Sequence, residues 1–313
     1  MKLSAYHKQH SDNVEWWNED GEYDIVYMSK VFSNTYSPDI QAPLNAKTVI
    51  KGGTGYAIST IDGKEVYDCS KNQNLDDEIE HIYPDYSLYP EYTGYGVKSL
   101  RRQTAYGFLT RGCPRGCNFC HVAAKEGRKA EKVANLSEFW IGQGNICLSD
   151  PNILACKESS ELLNQLVESG AKIDFNQGLD ARLITQDKAE LLAGMKLKAP
   201  HFAMDNMDSV DAVARGLRLY KEAYLQVHNE KWSWRKGKVF VLTNFDTTHE
   251  QDMHRISVIQ SIGYQPYVMV YDKPNAPAIS RRLQRWTNNS FCYGATQDFY
   301  EYQKHTYKHV LYE

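Results

Sequence analysis

Cys113, Cys117 and Cys120 lie within eight residues of one another, in the run LTRGCPRGCNFCH that spans Leu109 to His121. A thiolate is a soft ligand for iron or zinc and also a nucleophile, so three on one short loop mark the first place to look for chemistry. The Cys-x3-Cys-x2-Cys spacing, with Gly112, Pro114 and Gly116 interspersed, lets the loop curl so that all three thiolates reach one inorganic centre. A four-iron cluster held by three protein ligands keeps one iron open to an outside ligand. Other readings account for less. Structural zinc wants a fourth ligand, and His121, adjacent to Cys120, is awkward for closing a tetrahedron. A redox disulfide between Cys117 and Cys120 leaves Cys113 unexplained. Inert cysteines prefer apolar cores to a charged loop of glycine and proline.

The chain around this loop has 313 residues, 42% of them hydrophobic and 24% charged, enough for one large α/β domain or a domain plus a smaller lobe. Lys and Arg number 36 against 39 Asp and Glu, a net charge of −3, so no global basic field points to nucleic acid or a membrane surface. Mean hydropathy is −0.58, and no apolar run reaches the ~18 residues that a spanning helix needs. The first residues, MKLSAYHKQHSDNVEWW, hold no apolar stretch of signal-peptide length. Seven cysteines, an odd count, argue against a secreted disulfide framework. A cytoplasmic protein without a membrane partner is expected.

The elements that must position the loop are legible from patterning. Residues 23–32 read as a buried strand, and Thr48 to Ile50 as a second that runs into a glycine turn at Gly52 and Gly53, as in a small Rossmann-like lobe. Residues 82–96, rich in Pro, Gly and Tyr, read as a linker or extended lead-in. Strand candidates then recur at 105–110, 145–149, 172–176, 201–205, 238–243 and 266–271. Amphipathic segments at 158–169, 185–194, 209–226 and 248–262 separate them, with Thr185, Ser209 and Thr247 or Thr248 placed to cap. Repeated strand–helix units imply a parallel sheet with right-handed crossovers, too few for a closed eight-fold barrel and enough for a partial one. From Pro274 onward a basic amphipathic piece, SRRLQRW, leads into a Tyr-rich end without pattern.

With Phe119 before the third cysteine, the motif after the first strand of such a barrel resembles the radical S-adenosylmethionine superfamily, over most of residues 98–275. The wording KGGTGY, IEHIYPDYSLYP, YGFLTRGCPRGCNFC, FNQGLDARL and VLTNFDTTHEQD is similar to a bacterial and phage-associated group of it whose members often carry a cobalamin-binding-like lobe. The resemblance implies an α/β fold: a partial (βα)6 TIM-like barrel at 98–275, a truncated Rossmann-like lobe at 1–80, a linker at 81–97 and an extension at 276–313. It implies that Cys113, Cys117 and Cys120 ligate a [4Fe-4S] cluster whose fourth iron is chelated by S-adenosylmethionine. One electron, from a flavodoxin- or ferredoxin-type reductant, then yields methionine and a 5′-deoxyadenosyl radical that abstracts a hydrogen atom from a substrate. Methylation, methylthiolation or another carbon–hydrogen functionalisation of a nucleic acid, peptide or metabolite is compatible. The rival from another class is a non-catalytic iron–sulfur protein for electron transfer or structure.

The resemblance also implies cofactor-binding residues at the strand ends, alongside Phe119. Asp150 and Asn152 stand where many members have a Gly-Gly-Glu motif, although Asp150-Pro151 also reads as a simple turn. Arg182 offers a fork to a carboxylate or ribose, or pairs with Asp180, and Asn176 and Gln177 face cofactor or substrate. Asp205 and Asn206 suit the ribose hydroxyls or cap the next helix, and Thr243 and Asn244 stand where adenine is supported. Arg111, Arg115, Lys125, Arg128, Lys129 and Lys132 make the cysteine loop basic, as Arg281, Arg282 and Arg285 with Trp286 do near the C-terminus. Such patches suit a reductant, a phosphate or solvent alone, and with the net charge of −3 neither identifies nucleic acid. No Asp-x-His-x-x-Gly is present, so cobalamin is not expected; only Ser29 and the turn at Gly52 and Gly53 survive of that lobe's signature. Residues 1–13 read as a helix and its exit, so the lobe lacks its first strand or the chain starts downstream of its true beginning.

Overall fold

The computed structural model describes residues 1–34, 36–61, 64–71 and 73–306, a mixed α/β chain with parallel sheets that divides into two compact units, Met1–Gln143 and Gly144–Glu313. Among the described residues no helix is long and apolar enough to cross a membrane.

The first unit holds α1 (Lys2–Gln9), β1 (Tyr23–Ser29), β2 (Ala46–Gly52), β3 (Ile58–Ile61), β4 (Lys64–Tyr67), α2 (Asp77–Glu80) and α3 (Pro90–Thr93). It continues through β5 (Thr104–Gly107), β6 (Thr110–Arg111), α4 (Val122–Glu126) and β7 (Glu131–Lys132). β1 and β2 pair in parallel, from Tyr23 opposite Ala46 to Ser29 opposite Gly52. After β2 the chain turns back against Lys30, whose carbonyl accepts from the Gly55 N–H at 2.9 Å. The approach is so close that a Cβ on Gly55 would lie 2.1 Å from the Phe32 carbonyl oxygen, which only glycine tolerates. β3 and β4 form an antiparallel hairpin that the hydrophobic pattern does not announce.

Three expectations in this unit need correction. The strand expected to be buried at 23–32 stops at Ser29 and buries only Val26 and Met28, while Val31 and Phe32 beyond it are exposed. Residues 82–96 are packed rather than extended: Tyr86 is 4% exposed, its hydroxyl donates to the Phe139 carbonyl at 2.7 Å, and Thr93 donates to the Tyr86 carbonyl at 2.8 Å. Tyrosine and proline here build short turns whose hydroxyls satisfy neighbouring backbone. The single strand expected at 105–110 is also broken. β5 stops at Gly107, where the Phe139 ring occupies the place of a side chain, and β6 pairs antiparallel with β7.

The second unit alternates strand and helix as expected: β8 (Asn145–Leu148), α5 (Ser159–Ser169), β9 (Lys172–Phe175), α6 (Gln186–Gly194), β10 (Lys196–Leu197), β11 (His201–Ala203) and α7 (Val210–His228). Then follow β12 (Lys238–Thr243), α8 (His249–Ile262), β13 (Gln265–Val270), α9 (Ala278–Asn288), α10 (Ser290–Ala295) and α11 (Phe299–Thr306). β9 pairs in parallel with both β8 and β10, and β12 with both β11 and β13. A parallel bridge from Leu179 to Phe202 carries the order from the segment after β9 to β11. Thr185 and Thr248 cap as expected, Thr248 with Gln251 in a reciprocal box. Ser209 does not cap; Asn206 accepts from the Ser209 N–H at 3.0 Å instead.

Burial alternates along much of these strands, although Leu242 and Gln265, on the face of Phe240 and Tyr267, are buried as well. Ile146, Leu148, Ile173, Phe175, Phe202, Val239, Val241 and Val268 are buried, whereas Cys147, Asp174, His201, Ala203, Phe240, Tyr267 and Met269 keep access to solvent. A parallel sheet covered on both faces would be apolar without a break. Here one face is packed tightly and the other only in part.

The C-terminal residues expected to lack pattern are helical up to Thr306, because Trp286 and Tyr293 are fully buried and the Trp286 indole donates to the Thr296 carbonyl at 2.8 Å. Residues 307–313 of that stretch lie outside the described residues. α9 runs beside β13, and the Asn288 carboxamide bonds both main-chain groups of Val268, accepting at 2.8 Å and donating at 2.9 Å.

Candidate functional site

The cysteine loop leaves β6 and returns through β7, so its base is tied by the pairs Thr110 with Lys132 and Arg111 with Glu131. Gly112, at φ +82°, makes the first turn; a Cβ there would lie 2.1 Å from the Lys129 carbonyl oxygen. Glu126 closes the interior: one oxygen accepts from Arg111 Nη1 and the other from the Gly112 N–H, both at 3.1 Å. The Cys113 N–H donates to the Gly127 carbonyl at 3.2 Å, and the Cys120 N–H to the Cys117 carbonyl at 3.0 Å. Gly116, at φ +57°, lies under the Arg128 guanidinium. The backbone conformations at Gly112 and Gly116 are thus ones that side chains resist.

Cys113, Cys117 and Phe119 are half-exposed and Cys120 is exposed, so the thiols are presented rather than built into a core. Among the described residues, no three His, Cys, Asp or Glu side chains are gathered closely enough to hold a metal ion. The loop therefore supplies the donors without drawing them together. Its donor chemistry, three thiols on one closed turn, fits an iron–sulfur group. His121 points elsewhere, its Nε2 3.9 Å from Glu65 on β4. Arg111 and Lys125 both lie beside the Glu126 carboxylate, at 3.1 and 3.5 Å, and Lys129 lies beside Glu131 at 2.6 Å.

In the second unit the residues at the strand ends fall into two groups. Asp150 and Asn152, after β8, are buried, and Asn152 Nδ2 donates to Asp180 at 3.2 Å. Asp180 also grips Arg182, accepting from Nε at 2.7 Å and Nη2 at 3.0 Å. Asp205 accepts from the Leu242 N–H at 3.1 Å, and burial raises its carboxyl above the ordinary range although Arg255 and Arg182 pull it down. Asn152, Asp180, Arg182 and Asp205 thus form one polar group after β8, β9 and β11. The remaining candidates stand apart from it. Asn176 and Gln177 are exposed, and Asn206 caps the turn before α7. Thr243 is fully buried with its hydroxyl 3.4 Å from the Met269 carbonyl. Asn244, at φ +61°, donates to the Tyr271 carbonyl at 2.8 Å.

No protein-family model matches the chain, and no curated protein matches it. The site must be read from its own geometry.

Arg255 is the residue that sequence reasoning missed. It is fully buried on α8, where Nη1 donates to the Met204 carbonyl at 2.7 Å, Nη2 to the Leu242 carbonyl at 2.8 Å, and Nη2 also to Asp252. One guanidinium thus ties the ends of β11 and β12 beside Asp205. The signal was present: Asp252, Arg255, Ile256, Ile259 and Ile262 share the buried stripe of α8, and a charged pair three residues apart on an apolar stripe asks for buried partners.

Proposed function

We propose that the chain is a cytoplasmic radical S-adenosylmethionine enzyme, with a partial (βα)6 barrel preceded by a small Rossmann-like lobe. The observation that carries this reading is the cysteine loop: Cys113, Cys117 and Cys120 on one turn whose base is tied by β6 and β7 and whose bends require Gly112 and Gly116. The sequential parallel order of the second unit supports the barrel. Cys113, Cys117 and Cys120 would hold three irons of a [4Fe-4S] cluster. Together with S-adenosylmethionine that cluster supplies a 5′-deoxyadenosyl radical, which takes a hydrogen atom from the substrate.

The chain's own residues would bind and orient. Arg182, pre-aligned by Asp180, presents a guanidinium whose plane is fixed before a carboxylate arrives. Asp205, beside Arg255, offers an acceptor to vicinal hydroxyls, and Phe119 flanks the thiols. A flavodoxin- or ferredoxin-type partner would supply the electron.

Anaerobic reconstitution with iron and sulfide, followed by dithionite and S-adenosylmethionine, tests the reading. About four irons per chain and release of 5′-deoxyadenosine are expected. Single replacement of Cys113, Cys117 or Cys120 by Ala abolishes the cluster, and Cys292→Ala leaves it. A full cluster that never cleaves the cofactor favours a non-catalytic iron–sulfur protein instead.

A further inference from the structure

Between α3 and β5 the chain folds back on itself and leaves a cationic arc exposed. Gly94, at φ +69°, ends α3 so close to Arg102 that a Cβ there would lie 3.1 Å from the Arg102 carbonyl oxygen. Residues 94–102 thus form a compact surface loop whose ends meet. Its base is fixed from inside the unit. The buried Thr93 hydroxyl donates to the Tyr86 carbonyl and accepts from the Tyr95 N–H at 3.2 Å, while the Tyr106 hydroxyl donates to the Tyr92 carbonyl at 3.2 Å. Every residue from Tyr95 to Arg102 is exposed, as is Tyr92. The arc carries Lys98, Arg101 and Arg102, and no Asp or Glu occurs in the chain between Glu91 and Glu126. Among the described residues, none of these three cations is paired with a carboxylate. Tyr92, 67% exposed, and Tyr95, 53% exposed, pack on no other ring among those residues and bond through neither hydroxyl.

We propose that this loop binds a short segment of single-stranded nucleic acid, with bases stacking on Tyr92 and Tyr95 and phosphates meeting Lys98, Arg101 and Arg102. Cations without a carboxylate partner give up no bond when they neutralise phosphates, and each contact releases counterions from the strand. Open ring faces offer unpaired bases a platform without sequence preference, whereas the bases of a duplex are already stacked. An acidic peptide would engage the cations and leave the rings idle. The loop is also separate from the cofactor site. It enters β5 at its N-terminal end, and the cysteine loop begins beyond the C-terminal end of that strand. The four residues of β5 alone span about 13 Å. Cofactors of parallel barrels gather at the C-terminal ends of the strands, on the far side from this loop. Binding here needs neither cluster nor cofactor, so it stands or falls apart from the radical chemistry.

Fluorescence anisotropy of the full chain with a fluorescein-labelled single-stranded twelve-mer, DNA and RNA in turn, tests the proposal. Salt-dependent binding of at least one is expected. Replacing Lys98, Arg101 and Arg102 together by Gln should reduce the slope of log K against log salt by about two. Tyr92→Leu combined with Tyr95→Leu should weaken binding at least about fivefold, and Phe at both positions should retain it. These side chains are exposed, so the melting curve of each variant should match the parent's. A charge-matched control on α7 and α9, with Arg215, Arg218 and Arg285 changed to Gln, should bind nearly as the parent does. The proposal is overturned if neither oligomer binds at low salt, if the loop variants bind like the parent, or if the control triple weakens binding as much as the loop triple. It is overturned equally if poly-glutamate or a duplex of the same length competes as well as the single strand, or if S-adenosylhomocysteine displaces it.

Discussion

Asp180 holds Arg182 by two bonds, one to each carboxylate oxygen, at 2.7 and 3.0 Å, although the residues are only two apart in the chain. The carboxylate also accepts from the Arg182 N–H at 3.2 Å, so the loop after β9 is organised around one acid. A lysine cannot reproduce the fork. Arg182→Lys should therefore weaken S-adenosylmethionine binding by roughly tenfold, about 1.4 kcal/mol, in the reconstituted protein. Asp180→Asn, which keeps the shape and removes the charge, should do so by less. Equilibrium dialysis with labelled cofactor distinguishes them, and unchanged affinity in both would remove Arg182 from the site.

Gly112→Ala puts a methyl group where the Lys129 carbonyl oxygen sits, at a residue with φ +82°. The loop base must open to admit it, at a cost of about 1 kcal/mol for the backbone alone. Iron bound after anaerobic reconstitution should fall to less than about half of the parent's while far-ultraviolet circular dichroism stays the same. Full iron content would mean that the loop does not depend on this turn.

Removing Arg255 leaves Asp252 charged and buried. Arg255→Met should cost about 3–5 kcal/mol of stability by urea denaturation. Combining it with Asp252→Leu should recover a large part, since the stranded charge goes with its partner. Failure of the second change to recover anything would mean that the bonds to Met204 and Leu242, rather than the ion pair, dominate.

Asp85 gives the first unit a defined acid sensitivity. Burial alone would raise its carboxyl, but bonds from Lys8, Ser4 and Ser87 outweigh that and hold it at about 2, against an ordinary 3.8. The folded state thus binds the proton less readily than the unfolded chain. Its contribution is present above about pH 4 and is lost as the pH falls through 2. After allowance for solvent screening it is of order 1 kcal/mol. Asp85→Asn should lower stability at pH 7 and flatten the acid limb between pH 4 and 2, read by thermal melts across that range.

The second unit was legible because its strands and helices each carry one strong period. Lys238–Thr243 ends where its Val-rich run ends, and Thr248 announces α8 through its box with Gln251. Short elements were not legible, since β6 and β7 have two residues each and exist only through their pairing. Patterning also misjudged Tyr86 and Tyr293, whose rings are buried while their hydroxyls read as surface. At the strand ends, residue type suggested Arg182 and Asp205, but Asp180 entered only as a competing partner. Which neighbour takes up a guanidinium depends on loop geometry that no local pattern encodes.

A carboxamide sets a donor nitrogen beside an acceptor oxygen, as a peptide unit does. By bonding both groups of Val268, Asn288 imitates one rung of a further strand while offering no backbone that could continue the ladder. At that position β13 has nothing left for a strand from another chain to recruit. The same side chain that ends the sheet thus guards it against edge-to-edge aggregation.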